Sequence, residues 1–201
     1  MANLFIIAAP SGCGKTSLVK ALIERVDSLC VSVSHTTRAA RPGEEHGKNY
    51  FFVSKEDFNE ISNNDGFIES AQVFDNYYGS AKQTVKDLLK QGQDVILEID
   101  WQGAQQVKQS FTDAIGIFIL PPSISALEER LTDRGQDNQS IIDRRMKDAV
   151  SEMQHFDEFD YLVINDDFNI ALNDLTHIIY TQRLSLAQQT QQQQDLLKQL
   201  I

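Results

Sequence analysis

The stretch Ala9-Pro10-Ser11-Gly12-Cys13-Gly14-Lys15-Thr16 constrains this chain more than any other. It matches G-x-x-x-x-G-K-[ST], with alanine in the place of the first glycine. Upstream, Leu4 to Ala8 is an almost wholly apolar run, as a parallel strand buried on both faces requires. Downstream, Leu18, Ala21, Leu22 and Val26 recur at helical spacing, so the order is strand, loop, helix. A loop of this kind curls its backbone N–H groups around phosphate oxygens at the positive end of a helix dipole. Gly12 and Gly14 permit backbone angles and a close approach that a side chain would block. Lys15 has the reach for β- and γ-phosphates, and the Thr16 hydroxyl can ligate Mg²⁺. Ala9 precedes Pro10, which biases it towards an extended conformation that alanine adopts without strain.

Similar buried strands are predicted at Val95 to Ile99, Ile115 to Leu120 and Tyr161 to Ile164. They alternate with helical patterns at Gln83 to Gln91, Gln102 to Gln109 and Ser125 to Leu131. The expected fold class is therefore α/β: a parallel sheet of P-loop NTPase type flanked by helices. Residues 34–80 depart from this alternation, being rich in aromatic and polar side chains. They read as a small mixed α/β insertion, with Ser54-Lys55-Glu56-Asp57 as a capping box opening a short helix. Residues 126–156 mix Arg with Asp and Glu on helical patterns around Gly135 and read as a helical lid. The core of a single domain over 1–201 would then be 1–33, 81–125 and 157–201. The Gln-rich end, with Leu186, Leu196, Leu197 and Leu200, reads as the extension of an amphipathic helix.

The formal charge of -11 argues against a general nucleic-acid binder, whose affinity rests on neutralising many phosphates. An acidic chain can still hold an anionic ligand where its basic residues are concentrated. Cys13 and Cys30 fit no zinc or redox motif, and the scattered histidines form no H-E-x-x-H pattern. No stretch approaches the roughly 20 apolar residues of a membrane span. The expectations are a cytoplasmic chain in a reducing compartment, with no membrane or nucleic-acid partner. Whether it is a monomer or a homo-oligomer is left open.

Asp100-Trp101-Gln102-Gly103 fits D-x-x-G, but the N-K-x-D that a GTPase uses for guanine does not occur in the chain. Arg130, Arg134, Arg144 and Arg145 gather in the lid segment, where arginines closing over a moving phosphoryl group would stabilise its charge. The bland alternative is a set of i,i+4 ion pairs on a solvated helix.

Several stretches in order carry a family likeness: the loop at 9–16, then Ser32-Val33-Ser34-His35-Thr36-Thr37-Arg38, Arg41-Pro42-Gly43-Glu44 and Tyr50-Phe51-Phe52-Val53. Tyr77-Tyr78-Gly79-Ser80, Ile99-Asp100-Trp101-Gln102-Gly103, Arg134-Gly135 and Asn165-Asp166-Asp167 follow. Along essentially its whole length, the Gln-rich tail excepted, the chain resembles the guanylate kinases. That resemblance implies an enzyme transferring the γ-phosphate of Mg·ATP to GMP, and to dGMP, with Mg²⁺ as cofactor. It implies that Arg38, Arg41, Tyr50 and Tyr78 hold the GMP phosphate, while Ser34, Glu69, Ser80 and Asp100 read guanine. Guanine offers N1–H and an N2 amine, donors that carboxylates accept and adenine lacks. The 9–16 loop with Arg134 and Asn165 would bind ATP, and Lys15, Arg38, Arg134 and Arg145 would be catalytic. Arg130 and Arg144 read as bystanders. Two rivals remain: a catalytically silent module of the same fold, and a kinase for another nucleoside monophosphate. Lys15, Thr16, Arg134 and Arg145 oppose the first, and Glu69 with Asp100 opposes the second.

Overall fold

The structure is a computed structural model that describes residues 2–73, 75–133 and 139–201. In chain order the elements begin with β1 (Leu4–Ala8), α1 (Lys15–Arg25), β2 (Leu29–Val31), β3 (His35–Thr36) and β4 (Phe51–Phe52). Next come α2 (Lys55–Asn63), β5 (Phe67–Val73), β6 (Asn76–Ala81), α3 (Lys82–Lys90), β7 (Asp94–Glu98) and α4 (Trp101–Ser110). The remainder is β8 (Ile115–Leu120), α5 (Ile124–Asp133), α6 (Gln139–Met153), β9 (Tyr161–Ile164), α7 (Phe168–Arg183), α8 (Leu186–Gln192) and α9 (Gln194–Leu200).

The larger sheet has five strands in the order β2-β7-β1-β8-β9, and every pairing in it is parallel. Burial on both faces explains why its strands are continuously apolar. With a side-chain period of two, Phe5 and Ile7 pack with Leu18, Leu22, Leu175 and Ile179 of α1 and α7. Leu4 and Ile6 face the other way, onto Val85 of α3 and Val107 of α4. β1 is central: the chain runs from it to β2, returns through β7 beside it, and then crosses to β8 on its other side. A crevice therefore opens beyond its carboxyl end, where ligands bind in sheets of this kind.

A second sheet, of four strands in the order β4-β3-β6-β5, lies within the segment from His35 to Ala81. At its helix α2 the predicted N-cap forms, with Ser54 Oγ accepting from the Asp57 N–H at 3.0 Å, while the Asp57 carboxylate accepts from the Ser54 hydroxyl at 2.7 Å in place of the box's return bond. Opposite it along the crevice, α5 and α6 bury Leu127, Leu131, Ile142 and Ala149 against Cys13 of the loop.

The tail differs from the expected single helix. α7 stops at Leu184, and α8 and α9 are separate short helices whose Leu186 and Leu200 are exposed. The break turns the chain back, so that Gln188 Nε2 donates to Asn3 Oδ1 at 2.8 Å. Among the described residues, no helix is long and apolar enough to cross a membrane.

Removing side-chain volume from the central strand should leave a cavity that the packed sheet cannot close. Ile6→Ala should cost about 2–5 kcal/mol in urea unfolding. Leu162→Ala, on edge strand β9 where the side chain is 46% exposed, should cost about 0.5 kcal/mol. Equal losses at the two positions would contradict this account of the core.

Candidate active site

β1 delivers the chain to the loop, and the loop turns because two glycines take positive φ, Gly12 at 97° and Gly14 at 82°. Gly14 is the N-cap of α1, in the left-handed conformation, and its carbonyl accepts from the Leu18 N–H at 3.0 Å. The helix starts at Lys15. The loop's underside is filled: Cys13 is fully buried, and Asn165 Nδ2 donates to the Cys13 carbonyl at 2.7 Å. Burial in apolar surroundings pushes the Cys13 thiol up to about 12, so it packs as a small hydrophobe. The loop's inner surface lines a cavity of about 360 Å³ that runs from α6 to the second sheet.

On the cavity floor, Lys15 Nζ donates to the Ile99 carbonyl at 3.1 Å, and the Thr16 hydroxyl donates to Glu98 Oε1. On the side of the second sheet, Ser34, Arg38, Arg41, Tyr50 and Tyr78 line the same cavity. The Arg38 guanidinium lies 5.4 Å from the Tyr50 ring centroid and makes a two-pronged pair with Glu44, at 2.8 and 3.0 Å. Glu44 is itself held by the Arg41 N–H at 2.8 Å, in the turn where Gly43 takes a positive φ of 86°.

Glu69, on β5, and Asp100, the N-cap of α4, close the cavity at its far end. Asp100 Oδ1 accepts from the Gly103 N–H at 2.8 Å. A Cβ on Gly103 would stand 2.9 Å from Glu69 Oε2 and 3.4 Å from Asp100 Oδ1, so glycine there lets α4 bring the two carboxylates together. Burial pushes Glu69 up to about 7; its hydrogen bonds with Ser80 pull it down, and Asp100 pushes it further up. From α6 come Arg145, which donates to Ser11 Oγ at 2.6 Å, with Asp148 and Glu152. Burial also raises Glu152 to about 7, with Lys15 acting against the shift and Asp100 and Asp148 with it.

The family model for guanylate kinase matches residues 1–182. The guanylate kinase of Methylococcus capsulatus is 55% identical, covering 92% of this chain and 91% of its own. That of Acinetobacter baylyi is 56% identical, over 98% of this chain and 96% of its own. The crystal structure of guanylate kinase from Anaplasma phagocytophilum superposes with a TM-score of 0.79 at 31% identity, covering 93% of this chain and 89% of that one. The chain belongs to the guanylate kinase family.

Of the residues that the guanylate kinase likeness singles out, the cavity gathers the whole 9–16 loop, Ser34, Arg38, Arg41, Tyr50, Glu69, Tyr78, Asp100 and Arg145. Ser80 and Asn165 stand apart from it. Ser80 is fully buried behind Glu69, with its hydroxyl 3.3 Å from that of Ser34, so it supports the site rather than lining it. Asn165 is 6% exposed, and its amide is occupied beneath the loop rather than presented at an adenine edge. Arg134 lies outside the described residues. Arg130, read as a bystander, instead donates through Nη2 to the Asn165 carbonyl at 2.9 Å, with Nη1 buried and unpartnered. Glu44, Glu98, Asp148 and Glu152 were not singled out individually. Their signal is spatial, apart from Glu44, which stands in the quoted Arg41–Glu44 stretch.

Glu69 and Glu152 have a consequence for stability. Both hold their protons in the folded chain after the unfolded chain, with carboxyls near 4.5, has released them. Their contribution is fully present below about pH 4.5 and is lost as pH rises through about 7. Urea unfolding at pH 5 and 7.5 should show this decline, and a Glu69→Gln, Glu152→Gln double variant should flatten it. An unaltered slope in the double variant would contradict the burial of these groups.

Proposed function

We propose that this cavity phosphorylates GMP by direct in-line transfer from ATP, with its two ends holding the two nucleotides. Transfer of phosphate from ATP to GMP is the activity of the guanylate kinase family. The observation that carries the site reading is the continuity of one cavity from the Lys15 loop to Glu69 and Asp100, with Arg38 and Arg41 between. ATP phosphates lie along the 9–16 loop, under its N–H groups and Lys15. The GMP phosphate lies against Arg38, Arg41, Tyr50 and Tyr78, where guanidinium forks and phenol hydroxyls match its oxygens. Guanine points to Glu69 and Asp100, with Ser34 beside them and Ser80 behind Glu69.

A GMP phosphate oxygen attacks the γ-phosphorus while the bond to the β–γ bridging oxygen breaks, giving GDP and ADP. The nucleophile is already anionic, so no general base is required. The work left to the protein is alignment and charge neutralisation by Lys15, Arg38 and Arg145, with Arg134 in the same role. The hard-oxygen pair of Thr16 hydroxyl and Glu98 carboxylate fits Mg²⁺, which keeps waters and phosphate oxygens for the rest of its shell. When bound with ATP, Mg²⁺ neutralises phosphate charge. Arg130 supports the nucleotide end by bracing the Asn165 loop beneath Cys13. The domain division supported by this reading is the core, the 34–80 segment carrying the GMP groups, and the 126–156 segment carrying the lid arginine. The cytoplasm is where its soluble substrates would be met.

The test is ADP release from Mg·ATP with GMP, dGMP, AMP, UMP and CMP in parallel. GMP should turn over fast and AMP scarcely, since AMP would set its N1 lone pair against buried carboxylates. Faster turnover with another base would overturn the guanine reading. Guanine N–H donors bind the ionised Glu69, so KM for GMP should fall as pH rises through about 7. Glu69→Gln should remove that component and lower kcat/KM for GMP by about 10- to 100-fold, from about 1.5–3 kcal/mol for a charged hydrogen bond. A variant with wild-type kcat/KM would remove Glu69 from base recognition.

A further inference from the structure

We propose that Trp101 and His155 are positioning residues for the phosphoryl transfer. Their ring stack would be the fixed root from which α6 carries Arg145 to the phosphates. The inference rests on the function proposed above. The rings lie face to face, with centroids 3.5 Å apart and planes 7° from parallel. Trp101 opens α4, immediately after Asp100. His155 follows the end of α6, and its N–H donates to the Glu152 carbonyl at 3.2 Å. The stack thus joins the guanine end of the cavity to the arginine-bearing helix, outside the cavity itself.

The rest of the joint lies on the same face of α4. Trp101, Gln105 and Lys108 follow i, i+4, i+7 spacing, so they share one side of the helix. Gln105 Nε2 donates to Glu158 Oε2 at 2.7 Å, and the other oxygen of that carboxylate is 2.6 Å from His155 Nδ1. Lys108 Nζ donates to the Glu158 carbonyl at 3.4 Å and pairs with Asp160 at 3.0 Å. From its other side α4 grips the second sheet: Gln106 exchanges two hydrogen bonds, both 3.0 Å, with the Ser70 backbone beside Glu69. One helix therefore holds Asp100, the strand of Glu69 and the root of α6 in a common frame.

Arg145 precedes His155 by ten residues, about 15 Å along a helix. Ile142 and Ala149, on either side of Arg145, pack on the loop, and the stack is the second anchor that stops α6 from pivoting about that contact. A displacement of about 1 Å in a reacting constellation costs about 100-fold in rate. The stacked rings add a side-chain contact between the start of α4 and the end of α6. Trp101 and His155 do not line the cavity, so their effect passes through Arg145 and Asp100.

The experiment compares full-length wild type with His155→Ala, which removes the ring, and His155→Phe, which keeps a ring but cannot bond Glu158. Trp101 is the sole tryptophan, so its emission reports the stack directly. H155A should shift that emission to the red and lower kcat by about 10- to 100-fold, with KM for GMP within about twofold of wild type. H155F should restore both emission and kcat. H155A with wild-type kcat overturns the proposal, as does H155F impaired equally with H155A, which would assign the effect to the Glu158 bond. Equal proportional changes in kcat and thermal midpoint across the variants would reduce the role to stability and also overturn it. Should H155A not fold, His155→Leu supplies bulk without a ring, and wild-type kcat there overturns the proposal. A wild type without GMP-dependent ADP release would sink the kinase reading and this inference together; active wild type with an equally active H155A sinks the inference alone.

Discussion

The structure depends on holding the loop at 9–16 in one curled conformation. That conformation needs glycines where a Cβ would strike the side chains beneath the loop, and it needs those side chains as a brace. Positive φ at Gly12 and Gly14 meets the first condition. The second is met from three directions: Leu127 and Leu131 of α5 pack on Cys13, Ile142 and Ala149 of α6 join them, and Asn165 caps the Cys13 carbonyl. A Cβ on Gly14 would stand 2.7 Å from Asn165 Nδ2, so this glycine serves both conditions. The segment after β9 is thus tied to the loop after β1, and Arg130 ties α5 to that segment through the Asn165 carbonyl. Bracing the loop brings the arginine-bearing helices to the cavity.

The charges follow from the same geometry. The chain carries 29 acidic against 18 basic residues, yet Lys15, Arg38, Arg41 and Arg145 converge on one cavity. They do not neutralise the acids there: Glu69, Glu98, Asp100, Asp148 and Glu152 line it too. Burial leaves Glu69 and Glu152 easier to protonate, which reduces their repulsion of an incoming phosphate without removing their hydrogen-bonding oxygens. Arg38 meanwhile is held by Glu44, a carboxylate whose two oxygens engage the fork as a phosphate would.

Much of this was legible in the residues because the signals were local. The boundaries of β1, β8 and β9 match the apolar runs, and Ser54 caps α2 through the bond its motif implies. The loop was legible because its chemistry needs contiguous residues. What escaped depends on neighbours distant in sequence. Ser80 and Asn165 were assigned to ligands, and only packing shows that their polar atoms meet protein partners 46 and 152 residues away. Arg130 stands beside Glu128 and Glu129, which made an ion pair on a solvated helix the simple reading; its real partner is a backbone carbonyl 35 residues on. The tail's leucines have helical spacing, but spacing alone does not show that the chain turns at Leu184 and Ser185.

On the function proposed above, α4 would hold the base-reading carboxylates in fixed positions. Asp100 is fastened by its own helix, with Oδ1 accepting from the Gly103 N–H. An N-cap of this kind fixes the side chain's direction, because the capping geometry fails if the carboxylate turns away. Glu69 is fixed differently, by burial and by the Ser80 hydroxyl, and Gly103 lets the two approach. With guanine bound as proposed, neither carboxylate would need ordering, which would confine the entropic cost of binding to the nucleotide and the arginines. Discrimination between donors and acceptors on a purine edge is strongest when the protein's oxygens cannot retreat, for an unmatched lone pair then has no relief. The Asp100 N-cap and the Trp101 stack on His155 share α4, so one helix bears both on the carboxylate end of the cavity and on the arginine-bearing α6.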